Sequence, residues 1–292
     1  MLFRSGGAER HLKYILETFS QDTLFTAYCD REFVKKTFPN INIKTSFMQY
    51  LPWKLQLRYL YQLLQPIAYK SFRFKGYDGV VSISISFAKF IKTKIPHINI
   101  CMSPPKFFWE KEYRTLNEGN QLSGINRALF NFYAFFMDTF LEDLWKKWDR
   151  NAARKVTNMI SISNTVKKRV KKYYNIDSDV IYPPVEVKEI GKQTKGSKKE
   201  NWFLYLGRVE TYKGVELAIS ACCDAKLPLK VVGVGDDLER MKELVKELNG
   251  KGYVKFLGYV SDSKRIELLG RAKALIFPVL GEDFGIVPVE AN

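Results

Sequence analysis

Apolar residues in the second half of the chain alternate between short unbroken runs and stretches with a period near 3.6. The unbroken runs predict buried strands at 202–207, 229–232, 254–257 and 274–277. The stretches between them predict amphipathic helices, and one more helix is predicted at the end of the chain. Strands that alternate with helices form a parallel sheet covered on both faces. The pattern therefore predicts an α/β domain over residues 202–292.

The first half shows the same two patterns less regularly. A helix is predicted from Glu9, because Leu12, Ile15, Leu16 and Phe19 share one face. Further strands are predicted at 77–83, 97–101, 159–163 and 180–182. A mostly helical, aromatic-rich region is predicted over about 107–156, and a basic amphipathic helix follows with its apolar face at Val166, Val170, Tyr173 and Tyr174. We therefore expect a first α/β domain over residues 1–185.

The segment between the two halves is rich in lysine and contains no aromatic residue, so residues 186–201 are predicted to be a linker or surface loop. The chain opens on a glycine-rich turn with no strand before it. It also stops inside a predicted helix, which would leave the last strand of the sheet with an open edge. We therefore expect a partial sequence that lacks the first strand of one domain and the end of the other.

Composition narrows the class of protein. A hydrophobic content of 46% and a charged content of 27% are typical of a globular protein, and 292 residues are enough for two domains. The net charge of +16 favours phosphate-bearing partners such as nucleic acid, anionic lipid or nucleotides, although lysines that only keep the surface soluble are an equal alternative. Four scattered cysteines and two histidines argue against a zinc site and favour a reducing compartment.

No targeting or membrane segment is predicted. The N-terminus lacks the pattern of a secretory leader. The most apolar long stretch, residues 128–145, is interrupted by carboxylates that a bilayer would not tolerate. We expect a cytoplasmic protein that either is free in solution or contacts the inner face of the membrane peripherally.

Two cations lie at the carboxyl end of a predicted strand. Arg208 follows the strand 202–207, and Lys213 precedes the next helix. Ligands of open α/β sheets bind at this edge, and two cations beside a helix N-terminus can bind a diphosphate. The alternative is a pair of solvated surface cations.

Two glutamates follow the last predicted strand. Glu282 lies just beyond it, and Glu290 lies eight positions later on the terminal helix. Carboxylates accept hydrogen bonds from the paired hydroxyls of sugars, and Gly285 permits close approach of the backbone to a ligand. A solvated helix face is the common alternative for such a pair.

Taken together, these residues resemble family 4 retaining glycosyltransferases of the GT-B fold, most closely the mannosyltransferase-like members that build cell-surface glycans. The resemblance rests on strand 203–207 with Arg208 and Lys213, and on Glu282 and Glu290, which are separated by seven residues as in that family. Segments 148–153, 162–169, 182–185 and 232–235 also fit. The resemblance implies two facing Rossmann-like domains, with an acceptor-side domain first and a nucleotide-sugar-binding domain, here truncated, second.

The resemblance also implies roles for individual residues. Arg208 and Lys213 would hold the donor diphosphate and stabilise the leaving group, and Glu282 would bind the donor sugar. Glu290 would bind the ribose. The remaining donor-binding positions implied are the glycine loop Gly6 and Gly7, the loop residue Gly235, and Asp283, Phe284, Gly285 and Ile286 around the second motif. A flexible terminus is the alternative for the first two.

One motif departs from the family pattern. Members often carry a histidine in a motif that here reads 101–110, and Met102 stands in its place. Methionine cannot donate a hydrogen bond to a sugar hydroxyl. Lys106 keeps the charge of the usual arginine but not its planar fork. This branch therefore either places the sugar differently or has weak activity.

Two weaker signals remain open. Asp177 and Asp179 imitate the acidic metal-binding motif of the other major glycosyltransferase fold, but they lie in a turn before a strand, so no metal is expected. The helix at 166–174 carries five cations, which either form a solvated face or contact an anionic membrane or lipid phosphate.

The sequence thus predicts a retaining glycosyltransferase that moves a hexose from a nucleotide sugar, with GDP-mannose favoured by resemblance alone, to a glycan or lipid-linked acceptor. No cofactor and no nucleic-acid partner are expected. Two alternatives stay open: a basic protein that binds polyanions or membranes, and an inactive truncated remnant.

Overall fold

A computed structural model of the chain describes residues 7–19, 23–52, 58–110, 135 and 141–292. Gly6 and most of the aromatic-rich region 107–156 therefore lie outside the described residues. Contacts divide the chain into two compact units, called unit 1 and unit 2, and the division falls between Pro184 and Val185.

Unit 1 is an α/β unit with two parallel sheets. Its elements are α1 (Gly7–Thr18), β1 (Thr23–Thr26), α2 (Arg31–Thr37), β2 (Asn42–Thr45), α3 (Arg58–Ser71), β3 (Val80–Ser84), β4 (His97–Cys101), α4 (Lys106–Trp109), α5 (Glu142–Ala153), β5 (Asn158–Ser161), α6 (Asn164–Tyr174) and β6 (Asp179–Val180). Strands β3, β4, β5 and β6 form a four-stranded sheet in that order, and β1 pairs with β2 in a second sheet.

The four strands predicted for the first half are the four strands of the larger sheet. The predicted helix from Glu9 is α1, although Phe19 lies beyond its end and is half exposed. The basic helix is α6, whose predicted apolar face is buried. Ser163 caps this helix by accepting a hydrogen bond from the backbone N–H of Val166, and Asn175 ends it in the left-handed conformation. Strands β1 and β2 and helices α2 and α3 are additional to the predicted elements.

Aromatic side chains fill the core of unit 1. Phe108 stacks on Trp145 with ring centroids 5.3 Å apart, and Phe87 meets both rings edge to face. Tyr28 and Met48 are fully buried beside this group. The high aromatic content of the chain, 14%, is thus partly explained by packing of the kind that stabilises domain interiors.

Unit 2 alternates strands and helices as predicted. Its elements are α7 (Val187–Thr194), β7 (Phe203–Leu206), α8 (Val215–Asp224), β8 (Leu229–Val232), α9 (Leu238–Glu247), β9 (Val254–Gly258), α10 (Asp262–Arg271), β10 (Ala274–Leu275) and α11 (Ile286–Ala291). All four strands are parallel and lie in the order β10-β7-β8-β9.

Alternate residues of β7 are buried against helices on opposite faces of this sheet. Tyr205 packs with Val215, Ile219 and other residues on one face, while Leu204 packs with Leu268 and others on the opposite face. Sheets buried on both faces read as continuous apolar runs, which is why these strands were predictable. The predicted α/β class with parallel sheets is therefore confirmed.

The segment 186–201 differs from the expected linker. Residues Val187–Thr194 form α7, which buries Ile190 and packs on α10 within unit 2. The approach is close: a β-carbon added at Gly270 would lie 2.7 Å from the methyl carbon of Thr194. One buried apolar residue among many lysines gives little periodicity, so the sequence indicated a loop instead. No helix in the part of the chain that the structure describes is both long enough and apolar enough to cross a bilayer.

Candidate functional site

Three loops meet at the carboxyl edge of the sheet in unit 2. They follow β7, β8 and β10 and span residues 207–214, 233–237 and 276–285. Arg208 and Lys213 lie on the first loop, Gly235 on the second, and Glu282 on the third. The parallel sheet thus brings together loops that are far apart in sequence, at the edge where such sheets bind ligands.

Glycines let the main chains of these loops touch. Gly214 has φ +68°, and a β-carbon there would lie 2.3 Å from the carbonyl oxygen of Pro278. A β-carbon at Gly233 would lie 1.9 Å from the carbonyl oxygen of Gly207. A β-carbon at Gly235 would lie 2.2 Å from the carbonyl oxygen of Val209. Only residues without a side chain fit these contacts, so the glycines define how closely the loops approach.

Lys213 and Glu282 form an ion pair across two of the loops. The ammonium Nζ of Lys213 lies 2.8 Å from Oε2 of Glu282, and the side chains are 20% and 29% exposed. The backbone N–H of Asp283 donates to Oε1 of Glu282 at 3.3 Å. The pair is therefore fixed by its loops and still reachable by a ligand.

A buried tyrosine holds the loop that carries both cations. The hydroxyl of Tyr205 donates to the carbonyl oxygen of Arg208 at 2.9 Å and reaches that of Lys213 at 3.4 Å. Burial, followed by the nearby carboxylate of Glu210, raises the pKa of Tyr205. The hydroxyl therefore stays protonated and keeps donating to the loop.

Arg208 projects into solvent beside an aromatic ring. Its Nη1 lies 2.7 Å from Oε1 of Glu210, its Nη2 donates to the hydroxyl of Tyr212, and its side chain is 63% exposed. Tyr212 also faces Lys213, whose Nζ lies 5.0 Å from the ring centroid. Tyr212 therefore contacts both predicted diphosphate ligands, and the sequence analysis did not single it out.

Glu290 is engaged by a different cation. It is buried on α11, and its Oε2 lies 2.6 Å from Nη1 of Arg265 on α10. Nε of Arg265 also lies 3.2 Å from Asp262. Gly285 starts α11 with φ +79°, and Phe284 and Ile286 flank it. The structure thus places Glu282 and Glu290 on the same segment but with different basic partners.

Asp237 is a further residue that the sequence analysis missed. It is buried, and its Oδ2 accepts a hydrogen bond of 2.6 Å from the hydroxyl of Thr211. Its backbone N–H donates to the carbonyl oxygen of Val209. Asp237 thus ties the loop after β8 to the loop after β7. An acidic residue directly before a predicted helix is the signal that could have identified it.

The other predicted positions lie in unit 1 or outside the described residues. Gly6 is not described, and Gly7 is the first residue of α1. Met102 is buried at the carboxyl end of β4, where its backbone N–H donates to the carbonyl oxygen of Ser84. Asp177 pairs with Lys171 in solvent. Among the described residues, no group of three or more His, Cys, Asp or Glu side chains could hold a metal ion.

Comparison with known families gives a match in the second half of the chain. Residues 186–292 match the family model described as Glycosyl transferases group 1. This match covers the whole of the loop cluster described above.

Relatives with assigned functions are similar over about half of the chain. The chain is 29% identical over 164 residues to the O-antigen chain mannosyltransferase RfbU of Salmonella typhimurium, covering 54% of this chain and 46% of that protein. It is 25% identical over 189 residues to the human Alpha-1,3/1,6-mannosyltransferase ALG2, covering 53% of this chain and 45% of that protein. The chain therefore spans less than half the length of these relatives.

Solved structures share the fold over nearly the whole chain. The Anabaena protein Alr3699/HepE, solved in complex with UDP and glucose, superposes with a TM-score of 0.60 at 17% identity. The superposition covers 99% of this chain and 77% of the Anabaena chain. Sucrose-phosphate synthase from Thermosynechococcus elongatus has a TM-score of 0.62 at 14% identity, covering 99% and 78%. The predicted GT-B fold with Rossmann-like domains is thus confirmed, and residues 186–292 are similar to the glycosyl transferases group 1 family. The narrower assignment to family 4 stays a prediction.

Proposed function

We propose that this chain, which is similar to the glycosyl transferases group 1 family over residues 186–292, transfers a hexose from a nucleotide sugar to a glycan or lipid-linked acceptor. The observation that carries the proposal is the placement of Arg208, Lys213 and Glu282 on adjoining loops at the carboxyl edge of one sheet. Two cations and a carboxylate there match the two parts of a nucleotide sugar, a diphosphate and a polyhydroxylated ring.

The cations would act on the leaving group. Lys213 already sits against Glu282, so a diphosphate that enters beside them meets an ammonium whose position is set. Arg208, which is more exposed, can turn from Glu210 toward the same phosphates. As the bond between the anomeric carbon and the phosphate oxygen breaks, both cations stabilise the negative charge that develops there.

The remaining chemistry needs little from the protein. The acceptor hydroxyl oxygen forms the new bond to the anomeric carbon, and its proton passes to an oxygen of the departing diphosphate on the same face of the sugar. This route gives net retention at the anomeric carbon. Positioning of the two substrates supplies most of the rate enhancement.

Glu290 would bind the ribose hydroxyls of the donor. Its carboxylate lies 2.6 Å from Nη1 of Arg265, which fixes its position on α11, and a carboxylate is the kind of group that accepts hydrogen bonds from paired hydroxyls. The amides near Gly285 and the residues Asp283, Phe284 and Ile286 would complete the contact with the donor. Gly235 would lie beside the base, and Gly6 and Gly7 stay predicted donor-binding residues on the family resemblance alone.

Mannose is the proposed sugar and GDP the proposed nucleotide. The support is the names of two relatives, RfbU and ALG2, which are both mannosyltransferases. The Anabaena structure with bound UDP and glucose makes a uridine nucleotide the main alternative to GDP as the donor nucleotide. We place the chain in family 4 on the spacing of Glu282 and Glu290.

The acceptor is proposed to bear phosphate and to bind unit 1. Residues 1–184 contain 29 Lys and Arg against 15 Asp and Glu, whereas residues 185–292 contain 18 against 16. The excess of positive charge thus lies almost wholly in the first part of the chain. Such a charge attracts lipid-linked phosphates at the cytoplasmic face of a membrane.

The experiment is an assay with a panel of nucleotide sugars that measures release of the nucleoside diphosphate and transfer of labelled sugar. GDP-mannose is expected to give the highest kcat/KM. Glu282→Gln, which keeps the size of the side chain, should lower kcat/KM about tenfold or more, because a charged hydrogen-bond partner is lost. The matched control Glu243→Gln lies on the exposed face of α9 and should leave kcat/KM unchanged. Equal activity in both variants would refute the assignment.

A further inference from the structure

An ion pair lies in the interior of unit 1, outside the proposed donor site. Nζ of Lys89 is 2.7 Å from Oδ1 of Asp149, and the side chains are 1% and 0% exposed. Lys89 also donates to the carbonyl oxygen of Ser86 at 2.7 Å. Removing two charges from water is costly, and replacing such a pair by apolar residues is often neutral or stabilising. Net stability therefore does not by itself explain why this pair is present.

The contacts of Asp149 indicate what that role is. Its second oxygen, Oδ2, accepts the indole N–H of Trp109 at 2.9 Å and the hydroxyl of Tyr174 at 2.7 Å. Lys89 lies just after β3, Trp109 follows β4, Asp149 is on α5 and Tyr174 is on α6. One carboxylate thus links four separate segments of unit 1, and the segment it captures after β4 is 102–110.

The far end of that segment is held on several sides. The ring of Trp109 stacks on Tyr173 with centroids 4.8 Å apart, and Arg150 lies 5.3 Å from the Trp109 centroid. In the next residue, Glu110, Oε1 forms an ion pair with Nε of Arg169 at 3.1 Å and accepts a hydrogen bond of 3.1 Å from the hydroxyl of Tyr173. Asp149 accepts the hydrogen bond of the indole N–H and so helps to set the rotation of the ring.

We propose that Asp149, oriented by Lys89, is a positioning residue that fixes segment 102–110 as a wall of the acceptor-binding surface of unit 1. The segment leaves the sheet at the carboxyl end of β4, the edge at which α/β sheets bind ligands. It contains the partly exposed Lys106, which stands where the family pattern has an arginine, and the buried Met102 at its start. The inference rests on the proposed function, but the position of the segment can be measured without any substrate.

The experiment compares Asp149→Asn with two reference variants. Asn keeps the shape of the side chain but not its charge, so Lys89 loses its counter-ion. Asp177→Asn removes an exposed carboxylate that also pairs with a lysine. Val34→Ala opens a cavity in a different hydrophobic cluster of unit 1 and reports on lost stability alone. Native-state amide exchange of residues 102–110, read by mass spectrometry, is the first measurement.

Exchange in this segment should accelerate about tenfold in Asp149→Asn and stay within twofold of the unmodified protein in both reference variants. Acrylamide should also quench Trp109 more strongly, as judged by subtracting the signal of Trp109→Phe in each background. Acceleration of the same size in Val34→Ala, or none in Asp149→Asn, would overturn the proposal.

A second pair of measurements separates this inference from the proposed function. With GDP-mannose as donor and methyl α-mannoside as the acceptor probe, Asp149→Asn should raise the KM for the probe about tenfold. The affinity for GDP should change less than twofold. Absence of turnover in every protein would argue against the proposed function, while the exchange result would still decide the positioning role. Tyr174→Phe, which removes a single hydrogen bond to Asp149, serves if Asp149→Asn does not fold. It should still accelerate amide exchange at 102–110. An unchanged exchange rate in that variant would refute the positioning role of Asp149.

Discussion

Replacing Lys213 with alanine should reduce catalysis far more than stability. In the ligand-free protein the Lys213–Glu282 pair is partly exposed, and exposed pairs contribute about 0–1 kcal/mol. The free energy of unfolding should therefore fall by no more than about 1 kcal/mol. A charged hydrogen bond to a phosphate contributes roughly 1.5–3 kcal/mol, which corresponds to about a 10- to 150-fold loss of kcat/KM.

Urea unfolding and initial rates on a nucleotide sugar measure the two effects in the same preparation. The matched control is Lys242→Ala, because Lys242 forms an equally short ion pair, 2.7 Å from Glu239, on the surface of α9. That variant should keep its kcat/KM. The reasoning is refuted if Lys213→Ala retains full kcat/KM, or if its loss of activity is matched by a loss of several kcal/mol of stability.

Three further predictions concern stability. Gly214→Ala should destabilise unit 2 by at least about 2 kcal/mol in thermal unfolding, because of its positive φ and the nearby carbonyl of Pro278. The control is Gly191→Ala inside α7, where a β-carbon meets open space, and this change should stabilise unit 2 slightly. Arg265→Ala should cost about 3–5 kcal/mol in urea unfolding, because it removes the guanidinium that lies 2.6 Å from the buried carboxylate of Glu290. A cost below about 1 kcal/mol would contradict this. Burial lowers the pKa of His97 to about 4. The stability that its neutral form contributes is therefore complete above about pH 6.5, and up to about 3 kcal/mol of it is lost as the pH falls toward 4. His97→Gln should flatten this dependence of the free energy of unfolding on pH.

The elements of unit 2 could be predicted from sequence because burial on both faces makes each strand a continuous apolar run. The small sheet of unit 1 could not. Strand β1 reads Thr-Leu-Phe-Thr and β2 reads Asn-Ile-Lys-Thr, and neither is long or apolar enough to stand out. Helix α7 was not predicted for a similar reason, because Ile190 is its one buried side chain.

The candidate site shows the same limit. Each motif could be placed at the end of its own strand, but the contact between Lys213 and Glu282 joins residues 69 positions apart. Periodicity contains no information on such contacts, so only the family resemblance united the two motifs. Arg265 and Asp237 were missed because their roles depend on partners elsewhere in the fold.

The main-chain contacts at Gly214, Gly233 and Gly235 have a consequence for how this protein could be re-engineered. Because backbone meets backbone at these points, inserting or deleting a residue in one loop would displace its neighbours as well. Changes in what this loop cluster binds would therefore have to arise from exchanges of projecting groups such as Arg208 and Tyr212. A library that keeps the three glycines and varies those groups should yield more folded clones than one that varies loop length.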